Sequence, residues 1–379
     1  MRKAALVLIA ALVVAGVAFA GGQSEQKAVA PAKPITSLPW SDIVAQAKKE
    51  GKVVWYQWYF QPEFRTFTKA FTDKYGIQVV IPDGTLQANT DKFLAERSRA
   101  AGDIDALSFG GDYTNNLDVQ NTLLGPITSV IPDGSKLKTA IQGGDSHGYA
   151  VVFWGNQVGI AYNPAHVNES QLPQTVAELG AWMKANPNRF GFNVSNGGSG
   201  PAFIQSIARN LVPGDYSTDG DIQAKVDKMA PVWKWFNDRK SDFVITASNA
   251  DGITRMNDGE FYMVAGFEDQ LSNMEKHKTI GSNFKFYIPK FGMPGGGNMV
   301  GIPKNAPHAA AALLFIDWLT SADVQAQLNE VFGSAPENPD AHSNAALIPM
   351  SERARSSEWF PKKLGDEMLK AFQNNVLTK

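Results

Sequence analysis

The 379-residue chain contains no cysteine. Disulfides, thiolate nucleophiles and thiolate metal sites are therefore excluded. So is a lipid anchor on an N-terminal Cys. Histidine is scarce: His147, His166, His277, His308 and His342 are far apart, and none forms an i, i+4 metal pair. Charge of one sign is lacking too. The formal net charge is −2 and no Lys/Arg-rich stretch occurs, so nothing marks a nucleic-acid face. There is no HExxH and no Walker A loop. Gly197-Gly198-Ser199-Gly200 is not a nucleophile elbow, because Pro201 stands where that turn needs Gly. No clustered acid/base pair supports a hydrolase. The longest apolar run, after Met1-Arg2-Lys3, extends only from Ala4 to Ala20. That is shorter than the ~20 apolar residues of a comfortable membrane span.

Two basic residues, a short apolar core and Ala18-Phe19-Ala20 have the three-part pattern of a cleavable signal peptide over 1–20. Residues 21–37, rich in Gly, Gln, Ala, Pro and Lys, read as a flexible leader. The product of cleavage is expected to be soluble, periplasmic or extracellular, and long enough for two domains.

From Trp40 the pattern becomes periodic. A helix from Ser41 to Glu50 stops at Gly51. The strand Val53–Phe60 follows, then an amphipathic helix carrying Phe64, Phe67, Phe71 and Tyr75, and a strand over Ile77–Ile81. A helix over about 90–101 leads to the strand Ile104–Phe109. This strand–helix alternation predicts a parallel sheet with helices on its faces. Such sheets bind ligands at the carboxyl ends of their strands. Those ends are Trp58-Tyr59-Phe60, Pro82-Asp83-Gly84 and Gly110-Gly111-Asp112-Tyr113. A long extended segment from Gly148 to Asn163 opens a second α/β unit. It has helices at about 176–185, 202–211 and 222–237, and a strand Phe261–Ala265 ending at Gly266-Phe267-Glu268-Asp269. Further strands are expected at 284–288 and 298–302 around a Pro294–Gly297 hairpin turn, then helices over 306–319 and 322–331 and from about Lys363.

Several segments in this order resemble the solute-binding proteins of ABC importers. They are the signal and leader, the opening strand and helix, "IQVVIPDG", and Ala309 to Gln325, which is similar to that family's recurrent helix pair. "IDALSFGGDYTNNLDVQNTLLGPI" and "VVFWGNQVGIAYNPAHV" resemble the YnjB-type branch, grouped with thiamine-, polyamine- and iron-binding proteins. The resemblance implies an α/β, two-lobed periplasmic-binding-protein fold (type II-like) with discontinuous lobes joined by hinge strands. Lobe one would be 38–153 with 283–320, and lobe two 154–282 with 321–379. The hinge would lie near Val152–Trp154 and Phe284–Ile288. It also implies a monomer without cofactor, metal or catalytic residues, whose partners are a permease and its ATPase.

The expected ligand-binding set is Trp58, Tyr59, Gly111, Asp112, Tyr113, Trp154, Asn156, Ser199, Phe267, Glu268 and Asp269. Rings at the end of the first strand and at Trp154 offer stacking or cation–π surfaces, with core packing the alternative. Asp112 either accepts ligand hydrogen bonds or caps the next turn. Glu268 and Asp269 are adjacent and diverge, so one at most is expected to reach a cleft. The helix start at Ser199 offers free amides to an oxyanion, or is a simple capped turn. Three ligand classes stay open: an organic cation of thiamine or polyamine type, a carbohydrate, and an oxyanion. Ferric iron fits least, because no adjacent tyrosine pair occurs. Outside transport, a sensor-input protein or a secreted hydrolase are the alternatives.

Overall fold

The computed structural model describes residues 33–342, 347–348 and 350–378. The expected signal peptide, and most of the leader, lie outside the described residues. In the first α/β run, α1 (Trp40–Glu50) turns Ile43 and Ala47 inward and stops at Gly51, whose φ of 67° suits a residue without Cβ. Strand β1 (Lys52–Tyr56) follows, then α2 (Gln61–Phe67), α3 (Lys69–Tyr75), β2 (Gln78–Val80), α4 (Leu86–Glu96) and β3 (Ala106–Gly110). β1 pairs parallel with both β2 and β3. β3 is buried throughout, as its continuous apolar run predicts. Two one-turn helices, α5 (Thr114–Leu117) and α6 (Val119–Thr122), and a two-stranded ribbon of β4 (Ala140–Ile141) and β5 (Gly144–Asp145) lead to β6 (Ala150–Tyr162).

β6 is the axis of the molecule. Its first part pairs antiparallel with β11 (Gly295–Gly301). Its last part pairs with β9 (Met263–Phe267) and, on the other edge, β10 (Lys285–Tyr287). Beyond β9 lie the parallel strands β7 (Phe190–Asn193) and β8 (Phe243–Thr246). Among the described residues nine strands thus form one sheet, ordered β2-β1-β3-β11-β6-β9-β7-β8, with β10 also on β6. The helices of the second run are α7 (Val176–Ala185), opened by a Thr175/Glu178 capping box, α8 (Ser199–Leu211), α9 (Ile222–Asp227), α10 (Ala230–Asn237), α11 (Asn249–Asn257) and α12 (Glu268–Lys276). The chain closes with α13 (Ala309–Thr320), α14 (Ala322–Phe332) and α15 (Lys362–Phe372).

The two largest cores gather around the two ends of β6, which gives Val151, Phe153 and Trp154 to one and Val158, Ile160 and Tyr162 to the other. Trp55, Phe64, Phe71, Phe153, Trp154, Phe315 and Phe332 belong to one, and Phe190, Phe192, Phe203, Phe236, Phe360 and Phe372 to the other. α13 is apolar apart from Asp317 and Thr320 and packs into the first core.

The elements depart from the sequence expectation in several places, among them the helix expected to carry Phe64 to Tyr75, which is split into α2 and α3 at Thr68. The first strand ends at Tyr56 rather than Phe60, because Phe60 takes a left-handed conformation (φ 48°) to start α2. The single helix expected over 222–237 is two, broken at Lys228-Met229 ahead of Pro231. β8 has no counterpart among the expected elements. The expected Pro294–Gly297 hairpin turn is overturned: Gly295, Gly296 and Gly297 lie in β11, opposite Gln157, Asn156 and Gly155. Glycine is required there by close approach, since a Cβ on Gly297 would run into the Trp154 carbonyl.

Candidate functional site

The ends of β1, β3 and β9 converge on a cavity of about 510 Å³, a size suited to a small organic ligand. From the turn after β1 come Trp58, Tyr59 and Phe60. Strand alternation, which would have sent Trp58 and Tyr59 to opposite faces, does not apply beyond Tyr56, and both rings reach the cavity. Their centroids are 4.9 Å apart, edge to face. Tyr59 is fixed further by Asn298 of β11, whose Nδ2 donates to its hydroxyl at 2.8 Å. Burial holds the Tyr59 phenol well above its ordinary range, so it stays neutral.

β3 delivers Asp112. The turn Gly111–Tyr113 follows the strand directly, and Gly111 packs against the Ile141 carbonyl, where a Cβ has no room. The Gly111 N–H donates to Gln142 Oε1 at 3.0 Å, which aims the Gln142 amide nitrogen away from that bond. Asp112 and Tyr113 line the cavity. Burial raises the Asp112 carboxyl to about 6, against the pull of Lys362.

β9 delivers Phe267 and, one residue into α12, Asp269. Trp154 Nε1 donates to Asp269 Oδ2 at 2.9 Å, and the Gln270 N–H to Oδ1 at 2.9 Å. Burial still raises Asp269 to about 6, with Trp154 and Gln270 opposing. Asn156 of β6 completes the floor. Among the described residues its Oδ1 is buried without a hydrogen-bond partner, as is the Nε1 of Trp359 facing the same cavity.

Of the expected set, Trp58, Tyr59, Asp112, Tyr113, Asn156, Phe267 and Asp269 line the cavity together. Gly111, Trp154, Ser199 and Glu268 do not. Gly111 lies behind the Asp112 turn. Trp154 is fully buried and acts from behind, through its bond to Asp269. Glu268 turns away into a 2.6 Å ion pair with Arg353 and accepts from the Ile348 N–H. Ser199 is fully buried, with its hydroxyl on Asn193 and Asn249. The Ser199 and Gly200 N–H groups donate to Asn249 Oδ1 and Asn193 Oδ1, so two amides that an oxyanion needs are already taken.

Sequence reasoning missed Gln142, Asn249, Gln270, Asn298, Trp359, Phe360 and Lys362, all lining residues. The one available signal was Trp359-Phe360-Pro361, an aromatic pair just before a helix start. Among the described residues no three His, Asp or Glu side chains converge to hold a metal ion. No helix of the described residues is long and apolar enough to cross a membrane.

The profile of the family described as "Bacterial extracellular solute-binding protein" matches residues 66–352, and the chain belongs to that family. Among solved structures, iron-bound HitA from Pseudomonas aeruginosa is similar, with 20% identity, 86% of this chain and 99% of that chain covered, and a TM-score of 0.64. The spermidine/putrescine substrate-binding protein PotD from Streptococcus pneumoniae shows 16% identity, 86% and 98% coverage, and a TM-score of 0.63. AfuA from Actinobacillus pleuropneumoniae, with fructose-6-phosphate bound, shows 15% identity, 87% and 99% coverage, and a TM-score of 0.61. A search of curated protein sequences gives no match. The fold is the two-lobed periplasmic-binding-protein fold.

Proposed function

We propose that this chain is the non-catalytic solute-binding component of an ABC importer and that it captures a small organic cation, of thiamine-like or polyamine-like chemistry, between its lobes. The observation that carries the reading is the cavity lining. Two desolvated carboxylates, Asp112 and Asp269, face a box of aromatic rings, with Lys362 the one basic side chain among the described lining residues. A cation brought between them stabilises their desolvated charge and adds cation–π contact with the rings. The occupied amides at the start of α8 weigh against an oxyanion.

In this reading the signal peptide is cleaved after Ala20, and the protein works as a monomer that docks on a permease with its ATPase. The likeness of two segments to the YnjB-type branch is consistent with it. Core packing supports lobe borders shifted from those expected from sequence. α14 carries Leu328 and Phe332 into the first core, and β10 pairs with the distal part of β6. The crossing points then fall near Gly155–Val158 and Pro294–Gly295.

A thermal-shift panel tests the ligand class, with thiamine and its phosphates, polyamines, sugars, amino acids and oxyanions. A ligand at one hundred times its Kd stabilises by ~2.7 kcal/mol. The largest shift is expected from an organic cation. A response to sugars alone, or to sulfate and phosphate alone, refutes the cationic reading. Turnover of any compound refutes the non-catalytic one.

A further inference from the structure

Asp112 and Asp269 account for the charge of a cationic solute; the inference here concerns the group beside that charge and rests on the cationic reading. We propose that Gln142, Asn156 and Trp359 form a hydroxyl-binding subsite over Gly296, so that the preferred solute is a hydroxylated organic cation rather than a plain alkylamine.

Three separate segments bring these side chains together. Gln142 lies in the turn between β4 and β5, in a left-handed conformation (φ 54°), and its Oε1 already accepts from the Gly111 N–H. Asn156 stands in β6 opposite Gly296 of β11. Trp359 is set by its chain neighbours. The Ser357 N–H donates to the Met293 carbonyl at 3.1 Å, and the Phe360 N–H to Gln205 Oε1 at 2.9 Å. The place where a Cβ on Gly296 would stand is 2.7 Å from Gln142 Nε2, 2.9 Å from Asn156 Oδ1 and 3.0 Å from Trp359 Nε1. All three side chains line the cavity. Among the described residues, Asn156 Oδ1 and Trp359 Nε1 are buried and have no hydrogen-bond partner. Unpaired buried groups are costly, so the cavity favours a solute that pairs them.

The donor count decides which group fits. Two N–H donors and one carbonyl acceptor converge on the open face of Gly296. A hydroxyl accepts two hydrogen bonds and donates one, so it satisfies all three. A carboxylate oxygen accepts from both donors but meets Asn156 Oδ1 oxygen to oxygen. An ammonium donates to Asn156 but opposes two N–H groups. A methyl group leaves all three unpaired. The spacing within the solute follows from Gly110, whose face is crowded by both Asp112 Oδ1 and Gln142 Oε1. The carboxylate for the cation and the amide for the hydroxyl are thus neighbours. The hydroxyl therefore belongs a few bonds from the cationic nitrogen.

Calorimetric titration with two probe pairs, each differing by one hydroxyl, tests the proposal: choline against ethyltrimethylammonium, and 1,3-diamino-2-propanol against 1,3-diaminopropane. Wild type should bind the hydroxylated member of at least one pair about ten- to a hundredfold tighter, the range for buried polar groups that gain partners. That ratio is then measured in Trp359→Phe, which deletes a donor, and Asn156→Leu, which deletes the acceptor. General damage to the cavity lowers both members of a pair alike, whereas loss of the subsite should cut the ratio about threefold or more. Circular dichroism checks folding, and if one variant does not fold the other carries the comparison. If wild type binds a pair with a ratio near one, or if the ratio survives in the folded variants, the hydroxyl subsite is overturned and the cationic reading stands. If wild type binds none of the four probes, both are overturned.

Discussion

If the solute is a cation, its affinity must depend on pH through Asp112 and Asp269. Each carboxyl sits at about 6 in the ligand-free protein, raised by burial. At pH 7 each is then roughly nine-tenths ionised, and at pH 5 roughly nine-tenths protonated. A cation binds the ionised form, so going from pH 7 to 5 weakens binding about tenfold per carboxylate and about a hundredfold if both take part. The linkage has the opposite sign for stability without ligand. A carboxyl raised above its unfolded value contributes stability below the unfolded value, near 3.8, and loses it as pH rises through about 6. The empty protein is therefore penalised at neutral pH at the same groups that a cation would rescue. Isothermal titration at pH 5, 6 and 7, at constant ionic strength, measures the slope of log Kd. Asp112→Asn and Asp269→Asn should each remove one proton from that slope and weaken binding at pH 7 by ~2–5 kcal/mol, the cost of losing a desolvated charge partner. Binding that is flat with pH, or stronger at pH 5, refutes the assignment of these carboxylates to the ligand cation.

Two further substitutions probe the shell behind the site. Trp154→Phe keeps a ring in the core but deletes the donor to Asp269, so unfolding in urea should show a loss of ~1–3 kcal/mol and the carboxyl should titrate higher still. Gly296→Ala places a Cβ 2.7 Å from Gln142 Nε2, 2.9 Å from Asn156 Oδ1 and 3.0 Å from Trp359 Nε1. That crowding should cost ~1–3 kcal/mol in thermal unfolding and weaken ligand binding by calorimetry, because the cavity floor has to move.

The strand-end rule found the first half of the cavity because its signals are local. β1 and β3 are short apolar runs, and the residues just past them, Trp58 to Phe60 and Asp112, are where a parallel sheet presents its ligand edge. Asp269 was legible for the same reason at the end of β9. Trp154 stayed open between cleft and core because an aromatic in a long extended strand reads alike whether it lines a cleft or supports it. Only the bond to Asp269, 115 positions away, separates the two. Glu268 and Asp269 were indistinguishable in the sequence, since what divides them is Arg353, in a segment without apolar periodicity. Trp359 and Lys362 come from that same late stretch. The Tyr59–Asn298 hydrogen bond spans 239 positions, and such pairings leave no local trace. Ser199, read as either an anion site or a capped turn, lies outside the cavity lining for another reason. A capped helix start and an anion site share one sequence pattern, and here Asn193 and Asn249 fill the role of the anion.

The placement of the two carboxylates ties ligand chemistry to lobe movement in the proposed function. Asp112 follows β3 and Asp269 follows β9, and in the sheet those strands are separated by β11 and β6, the two strands at which the proposed function has the chain cross between lobes. A solute held by one carboxylate alone leaves the other desolvated and without a charge partner. A solute that engages both gains the second interaction only if the two halves are near each other. The difference in binding free energy between open and closed arrangements is then the energy of that second contact, which is what shifts the population toward closure. Trp154 strengthens the coupling from behind. It stands in β6 and holds Asp269 directly, so that carboxylate is positioned by the strand that the proposed lobes would share. Closure should accordingly follow charge rather than size: at saturation a dication of suitable length compacts the protein in small-angle scattering, whereas a neutral solute of equal volume leaves its radius unchanged.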